Sequence, residues 1–293
     1  MVVLVVNPTS GGGRGARLLP DVERALAGFG VPHRVVLSQD AAHPERAARE
    51  AADEGVDVLA AMGGDGLVSA CANGVAGTAT ALAVIPVGSG NDFARSLGLD
   101  HRKPMRSVRV IAEGSRSRID AVRAEGDGWS RRFVCVAGTG FDSETNAVAN
   151  SVHRLRGTAK YLYAVVRTLA KFRPAAFRLR VDGEATDLDA MMVAVGNAAS
   201  YGGGMRVCPE ASLRDGLLEV CVVGAMSRTR FLAAFPRVFR GTHVTHPDVT
   251  MLRGRAVEVE ADRPFEVYAD GEPFGWLPAT FTVEPDALEV IAP

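Results

Sequence analysis

Apolar residues follow two different patterns along this chain, and the first pattern covers the N-terminal part. There, continuous apolar runs alternate with stretches whose apolar residues recur at helical spacing. The runs at Val2–Val6, 58–62 and 81–87 are typical of strands buried on both faces, and residues 35–37 predict a further strand. Strands that alternate with helices predict a parallel sheet covered by helices.

The second pattern begins near residue 120 and consists of short apolar stretches bounded by Gly, Pro and Asp. Helical spacing interrupts it at 143–171 and 229–240. We therefore predict an α/β domain with a parallel sheet over residues 1–122 and a mainly antiparallel, sandwich-like β domain over 123–293, with the last strand free to pack back on the first domain. The strands predicted for the second domain are 133–136, 176–181, 191–195, 217–223, 256–259, 265–268, 281–283 and 288–291.

Composition narrows the class of protein. The 33 basic and 34 acidic residues give a net charge of −1, which argues against a dedicated nucleic-acid binder. The four cysteines are scattered without a Cys-x-x-Cys motif, which predicts reduced thiols in a cytoplasmic protein. No stretch approaches the ~20 apolar residues of a membrane span. We therefore expect a cytoplasmic protein that meets any lipid only transiently, at the membrane surface.

Three glycine-rich loops follow strands of the predicted parallel sheet, at the edge where such sheets bind ligands. They are Asn-Pro-Thr-Ser-Gly-Gly-Gly at 7–13, Gly-Gly-Asp-Gly at 63–66 and Pro-Val-Gly-Ser-Gly-Asn-Asp at 86–92. Glycine lets backbone N–H groups approach phosphate, and a helix that starts after the loop adds its positive end. Asp65 repels phosphate but can reach it through Mg²⁺. Three such loops favour a Mg-nucleotide site over three ordinary turns.

A dinucleotide fingerprint is the competing interpretation of the first loop. Gly11, Gly13 and Ala16 fit its spacing. The expected ribose-binding acid is not evident, because Ser38 stands at the end of the second strand and Asp40 lies slightly beyond it. A dinucleotide-dependent oxidoreductase stays open as a minor alternative, although it leaves the second and third loops unexplained.

The three loop motifs, with Gly-Ser-Gly-Asn-Asp-Phe-Ala-Arg at 88–95, resemble the bacterial diacylglycerol kinase family. This family includes sphingosine and ceramide kinases and shares its nucleotide fold with NAD kinases. The resemblance continues at 209–211, at 215–220 and in the Asp-Gly-Glu turn at 270–272. It implies an NAD kinase/diacylglycerol kinase-like fold and a lipid kinase that transfers the ATP γ-phosphate to a lipid hydroxyl. Diacylglycerol, which would give phosphatidic acid, is the favoured acceptor.

The resemblance also implies roles for particular residues. Asp270 would be the general base, with Glu272 nearby, and Asp65 and Glu272 would be further catalytic residues. Asp65, Asp92 and Asp120 would surround the catalytic Mg²⁺. A structural Mg²⁺ would be bound by Asp215 and by the backbone carbonyls of Ser212 and Leu217. The residues expected at ATP are Asn7, Ser10, Gly11, Ser38, Gly63, Gly64, Asp65, Gly66, Ser69, Gly88, Ser89 and Asn91.

The sequence departs from the family pattern directly after the second loop. Leu67, Val68, Ser69 and Ala70 stand where members usually carry Thr, an aliphatic residue, Asn and Glu. The alternatives are therefore a catalytically impaired, kinase-like sensor of lipid or nucleotide, or a kinase of another hydroxyl acceptor. Such an acceptor would be a sphingoid base, ceramide or a soluble compound such as NAD, although the third loop argues against NAD kinase.

A basic stretch at 153–180 carries eight Lys or Arg and no acid, interleaved with apolar residues. This pattern predicts either a solvated helix face or an amphipathic helix that rests on an anionic membrane. We expect peripheral contact with the membrane that holds the lipid substrate and no nucleic-acid partner. An oligomer is possible but has no support in the sequence.

Overall fold

A computed structural model describes residues 1–152 and 157–293, and for residues 157–162 it describes the backbone alone. The chain forms two compact units. The first unit comprises Met1–Ala121 and Glu284–Pro293, and the second comprises Val122–Val283. Among the described helices, none combines the length and the apolar character needed to cross a bilayer.

The first unit is an α/β structure built on a parallel sheet. Strands β1, β2, β3 and β4 lie in the order β2-β1-β3-β4, and neighbouring strands are parallel. All residues of β1, β3 and β4 are buried, as expected for strands with helices on both faces. The elements are β1 (Val2–Val6), α1 (Ser10–Gly28), β2 (His33–Leu37), α2 (His43–Asp53), β3 (Val58–Gly63), α3 (Asp65–Val75), β4 (Ala81–Pro86), α4 (Asp92–Ser96) and α5 (Pro104–Glu113).

The second unit is mainly antiparallel β. Two 3-10 segments, Phe235–Arg240 and Thr242–Thr245, lie between its last helix and its last five strands. The remaining elements are β5 (Ser115–Gly126), β6 (Trp129–Phe133), β7 (Val136–Gly140), α6 (Phe141–Ser151), α7 (Gly157–Leu169), β8 (Ala175–Val181), β9 (Glu184–Gly196), β10 (Leu218–Gly224), α8 (Arg228–Ala234), β11 (Val249–Gly254), β12 (Ala256–Ala261), β13 (Glu266–Ala269), β14 (Glu272–Trp276) and β15 (Ala279–Ala292).

Strand pairing in the second unit is antiparallel and centres on β9. This strand pairs with β7, β8 and β10, while β13 joins β7 to β14. Strand β12 pairs with β8 and with the first residues of β15. The last residues of β15 belong to the first unit, where Val290 lies parallel to Leu82 of β4. The predicted fold class, a parallel α/β part followed by a mainly antiparallel sandwich-like part, is confirmed.

One predicted strand is wrong in a way that concerns the site. Residues 133–136 were expected to form a strand, but β6 ends at Phe133 and β7 begins at Val136. The chain bends between them because the N–H groups of Val134 and Cys135 donate to the carboxylate of Asp270. These two groups are therefore not used in a strand ladder.

The basic stretch predicted at 153–180 is described only in part. Residues 153–156, and the side chains of 157–162, lie outside the described residues. In the remainder, Val165 and Leu169 are buried, whereas Tyr163 and Val166 are exposed. Membrane docking by this stretch stays a prediction. The four cysteines, Cys71, Cys135, Cys208 and Cys221, are free thiols and buried.

Candidate active site

The second and third glycine loops touch at the carboxyl ends of β3 and β4. The N–H groups of Val87 and Gly88 both donate to the Gly63 carbonyl, at 3.0 and 3.2 Å. A Cβ atom on Gly88 would lie 2.5 Å from the Cα of Gly64, which is closer than real side chains allow. Glycine at position 88 is therefore what lets the two loops meet.

The first loop reaches the same place from the end of β1. The N–H of Asn7 donates to the Met62 carbonyl at 3.1 Å, and Gly11 lies against Val87 of the third loop. A Cβ on Gly11 would come within 2.1 Å of the Val87 oxygen, and its φ of 59° is left-handed. The structure therefore brings all three predicted loops together at one edge of the parallel sheet.

Asp65 ties the second loop to the end of the third. It begins α3 directly after Gly64, and one carboxylate oxygen accepts a hydrogen bond from Asn91 N–H at 2.7 Å. The other oxygen accepts from Asp92 N–H at 2.7 Å and from Phe93 N–H at 3.4 Å, where α4 starts. Charge-assisted bonds of this kind are stronger than neutral ones, so they fix the third loop.

Asn91 closes the third loop with its own side chain. Its amide oxygen accepts from Gly88 N–H at 3.0 Å, and its amide nitrogen donates to the Gly88 carbonyl at 2.8 Å. Its φ of 58° is left-handed, a conformation that Asn tolerates better than most residues. The buried Asn91 side chain therefore shapes the loop, and direct binding of nucleotide by this side chain stays a prediction.

Two of the three predicted magnesium ligands of the first unit lie side by side. A Cβ on Gly90 would lie 2.5 Å from one Asp65 oxygen and 3.4 Å from one Asp92 oxygen. The third, Asp120, is buried and accepts a hydrogen bond from Asp286 N–H at 3.0 Å. Among the described residues, no group of three or more His, Cys, Asp or Glu side chains forms a metal site. Mg²⁺ at nucleotides usually takes one or two carboxylates, with phosphate and water completing its shell. Asp65 and Asp92 are the candidate ligands here, although both Asp65 oxygens accept backbone hydrogen bonds and Asp92 lies 3.7 Å from the Arg95 guanidinium.

The residues that depart from the family pattern lie on buried positions of α3. Leu67 packs against Gly63, where a Cβ would lie 2.4 Å from its side chain. Ser69 is 3% exposed, and within the described part of the chain its hydroxyl has no hydrogen-bond partner. Ala70 is buried as well. The Ser69 hydroxyl is thus a buried polar group that a bound ligand could satisfy.

A turn held by the Asp40 side chain follows β2 and leads into α2. Ser38 donates from its N–H to Val6 at 2.8 Å and from its hydroxyl to the Asp40 carbonyl at 3.3 Å. The Asp40 carboxylate accepts from the N–H groups of Ala42 and His43, and the bond from His43 is the main reason that its pKa lies below the ordinary value. Asp40, which was considered as a ribose ligand, is thus occupied in starting α2. Ser89 is exposed on the third loop.

Asp270 occupies the two-residue turn between β13 and β14. Asp270 and Gly271 have φ values of 52° and 86°, the left-handed pair that a type I′ hairpin requires. The buried carboxylate accepts hydrogen bonds from Val134 N–H at 2.9 Å, Cys135 N–H at 3.0 Å and Val136 N–H at 3.3 Å. It is therefore anchored on the bend between β6 and β7.

The predicted base role of Asp270 must be compatible with this anchoring. Both of its oxygens already accept backbone hydrogen bonds, two at one oxygen and one at the other. The neighbouring Glu272 has an exposed side chain. Desolvation by surrounding protein atoms raises the pKa of Glu272, and the positive charge of Arg131 partly offsets that rise.

Asp215 has a cationic partner from the protein itself. The Arg253 guanidinium donates to one carboxylate oxygen at 2.8 Å, and Leu217 N–H donates to the other at 3.1 Å. Ser212 accepts from Arg214 N–H at 3.3 Å through its hydroxyl. A carboxylate paired with Arg253 does not fit a cation ligand in this arrangement, so the structural magnesium site stays a prediction.

The second unit also contains an apolar cavity that the sequence did not reveal. At its wall, the Tyr201 hydroxyl donates to the buried Asp142 carboxylate at 2.6 Å. The only available sequence signal was the recurrence of Phe231, Phe235 and Phe239. The cavity has a volume of about 60 Å³, and its apolar lining includes Phe141, Met192, Met205, Phe231, Phe235 and Val238.

Comparison with known proteins identifies both halves of the chain. Residues 1–124 match the family described as the diacylglycerol kinase catalytic domain. Residues 135–292 match the YegS C-terminal NAD kinase beta sandwich-like domain. The two matched families follow one another in the order that the resemblance implied.

Relatives match over nearly the whole chain. A diacylglycerol kinase of Mycobacterium tuberculosis is 36% identical over 294 residues, which cover 100% of this chain and 95% of the relative. A diacylglycerol kinase of Bacillus subtilis is 28% identical, with 99% and 95% covered. The crystal structure of a diacylglycerol kinase from Bacillus anthracis has the same fold, with a TM-score of 0.76, 22% identity, and 100% and 96% covered. The chain therefore belongs to the family of lipid kinases that join a diacylglycerol kinase catalytic domain to a YegS-type C-terminal domain with an NAD kinase-like fold.

Proposed function

We propose that this protein transfers the γ-phosphate of ATP to the free hydroxyl of diacylglycerol and so forms phosphatidic acid, with Mg²⁺ as the metal. The observation that carries the proposal is the junction of three glycine loops around Asp65 at the carboxyl edge of the parallel sheet. The names of the relatives support diacylglycerol as the acceptor.

The first unit would bind the nucleotide. The predicted phosphate loop at 63–66 ends where α3 begins, so the positive end of that helix favours the phosphate charge there. Asp65 and Asp92 would hold Mg²⁺. The bound metal would supply neutralisation of the charge that develops on the phosphate oxygens. The protein's own share is to keep the loops in fixed positions, which the hydrogen bonds of Asp65 and Asn91 do.

Two carboxylates of the hairpin at β13 and β14 would serve the acceptor hydroxyl. Asp270 would orient it and accept its proton. Glu272 is the second candidate, because its pKa is raised above the ordinary value and a carboxylate with a higher pKa is a stronger base. Either residue acts as an acceptor of one proton from the attacking hydroxyl.

A catalytically impaired sensor is the second candidate function. It is favoured by the departure at α3, where Leu67 and Ala70 replace polar side chains of the family pattern with buried apolar ones. Such a protein would bind nucleotide or lipid without turnover.

Two measurements on the same preparation separate these functions. Calorimetry gives the affinity for Mg-ATP, and labelled ATP reports transfer to diacylglycerol, ceramide, sphingosine and NAD in parallel. The proposal predicts binding together with label in phosphatidic acid. Binding with no transfer to any acceptor would favour the sensor, and label in another acceptor alone would overturn the choice of diacylglycerol.

A further inference from the structure

Residues 228–240 form a basic segment of the second unit, here called the α8 segment. It consists of α8 and the 3-10 turns that follow it, and it contains four arginines. From residue 220 to residue 247 the sequence has no Asp or Glu. The segment is therefore a concentrated positive charge in a protein whose net charge is close to zero.

The outer side of the α8 segment combines exposed cations with exposed apolar side chains. Leu232 is 45% exposed and Phe239 is 50% exposed. Arg228 and Arg240 are exposed too, and no acidic side chain of the described residues forms an ion pair with them. Arg230, in contrast, is paired with Asp248 at 2.9 Å.

The inner side of the same segment lines the apolar cavity. Phe231, Phe235 and Val238 contribute to its wall. A row of phenyl rings connects the buried interior to the surface. The row runs in the order Phe172, Phe141, Phe231, Phe235 and Phe239. The distances between the centroids of successive rings in this order are 5.5, 4.7, 6.3 and 6.1 Å. Packed phenyl rings therefore extend from exposed Phe239 to the cavity wall.

We propose that the α8 segment docks on the surface of an anionic lipid bilayer. Arg228 and Arg240 meet the phosphate headgroups, and Phe239 and Leu232 enter the boundary between headgroups and acyl chains. An anionic bilayer is the partner that fits, because cations beside exposed aromatic and aliphatic side chains are typical of interfacial helices. An acidic protein surface would match the arginines but would leave the two apolar side chains unexplained.

Docking in this manner places Phe239, the exposed end of the row of phenyl rings, at the boundary with the acyl region. Docking itself does not rest on the proposed function. The α8 segment is also separate in sequence from the basic stretch predicted at 153–180.

The test measures sedimentation of the full-length protein with vesicles of phosphatidylcholine alone and of phosphatidylcholine mixed with phosphatidylglycerol. The test variants are Arg228→Gln combined with Arg240→Gln, and Phe239→Ser. The matched controls, Arg24→Gln and Phe29→Ser, change exposed residues near the end of α1 in the first unit. Circular dichroism checks that each variant is folded.

We expect the wild type to bind the anionic vesicles in preference to neutral ones. The double arginine variant should bind about 25-fold more weakly, since each cation contributes about fivefold. Phe239→Ser should weaken binding about tenfold, because the variant has no phenyl ring to transfer from water into the bilayer. The controls should bind like the wild type. Equal binding to both vesicle types, or wild-type affinity of the α8 variants, would overturn the proposal.

An activity readout separates failure of docking from failure of the proposed function. The double arginine variant should lose phosphorylation of long-chain diacylglycerol in anionic vesicles but keep phosphorylation of dispersed, short-chain diacylglycerol. If no lipid is phosphorylated while vesicle binding still depends on Arg228 and Arg240, docking stands and the proposed function falls. If lipid is phosphorylated and the variants bind vesicles like the wild type, the proposed function is supported and the docking proposal is wrong.

Discussion

The Asp65 carboxylate accepts a 2.7 Å hydrogen bond from the backbone N–H of Asn91, 26 residues further along the chain. Its second oxygen accepts from the N–H of Asp92 at the same distance. The residue predicted to act in catalysis is therefore also the anchor of the third glycine loop. Substitution of Asp65 changes the geometry of the loops as well as the charge at the metal.

We expect Asp65→Asn to lower both stability and nucleotide affinity. The asparagine amide group would face a backbone N–H, so at least one charge-assisted hydrogen bond is lost, at a cost of about 1–3 kcal/mol. Urea unfolding measures the free energy of unfolding, and calorimetry measures Mg-ATP binding. Asp21→Asn, at an exposed position of α1, is the control and should behave like the wild type. An Asp65→Asn protein with unchanged unfolding would contradict the anchoring role.

Gly88→Ala should separate the second and third loops. The new methyl group would lie 2.5 Å from the Gly64 Cα, so the backbone must move, and overpacking of this kind costs about 1–3 kcal/mol. We expect Mg-ATP affinity to fall along with stability. Gly28→Ala is the matched control, because its methyl group would meet nothing within 4 Å. Normal nucleotide binding by Gly88→Ala would show that contact between these loops is not needed.

The two carboxylates of the β13–β14 hairpin should respond differently to removal of their charge. Asp270→Asn replaces one acceptor oxygen by an NH₂ group, so at least one bond from Val134 N–H or Cys135 N–H is lost, and stability should fall by about 1–3 kcal/mol together with activity. Glu272→Gln changes an exposed side chain, so any loss of activity should come without loss of stability. Thermal unfolding and the transfer assay are measured on both variants. Full activity in a folded Asp270→Asn protein would exclude Asp270 as the base.

His243 should make stability depend on pH in the acidic range. Burial lowers its pKa below the ordinary value of 6.5, and its Nε2–H donates to the Val207 carbonyl at 3.1 Å. At a pH between the folded and unfolded pKa values, His243 is therefore protonated in the unfolded chain and neutral in the folded chain. The stability that His243 contributes is complete above the unfolded pKa and is lost as the pH falls below it, by at most about 1.4 kcal/mol per pH unit.

Urea unfolding of the wild type and of His243→Gln, at about pH 7.5 and about pH 5.5, checks this expectation. The wild type should lose more stability than the variant on acidification. His33→Gln, at a partly exposed position of β2, is the control and should follow the wild type. Parallel losses in wild type and His243→Gln would contradict a lowered pKa.

The parallel sheet could be predicted because three of its four strands, β1, β3 and β4, consist almost wholly of apolar residues. Strands β1, β3 and β4 are buried on both faces, and apolar runs of five or six residues between helical stretches favour strands over helices, which are usually longer. Strands β5, β11 and β14 were missed, as were β6 and β7 apart from one residue each, because charged or small residues interrupt their apolar positions. The predicted strands 281–283 and 288–291 are parts of one long strand, β15, whose middle is polar.

The candidate site was predictable as a set of loops but not as a set of contacts. Glycines at strand ends mark the loops, yet the bonds from Asn91 and Asp92 to Asp65 join residues distant in sequence. The same limit explains the error at 133–136. Apolar Val134 and Cys135 fit a strand pattern, and only the fold shows that their N–H groups donate to the Asp270 carboxylate.

The most direct test of the central claim is the appearance of labelled phosphatidic acid. Purified protein is incubated with γ-labelled ATP, Mg²⁺ and long-chain diacylglycerol in mixed micelles, and the lipids are separated. The account predicts labelled phosphatidic acid from the wild type and from the Asp21→Asn control, and a large loss of label in Asp65→Asn. No labelled phosphatidic acid from a folded wild-type protein that binds Mg-ATP would contradict it.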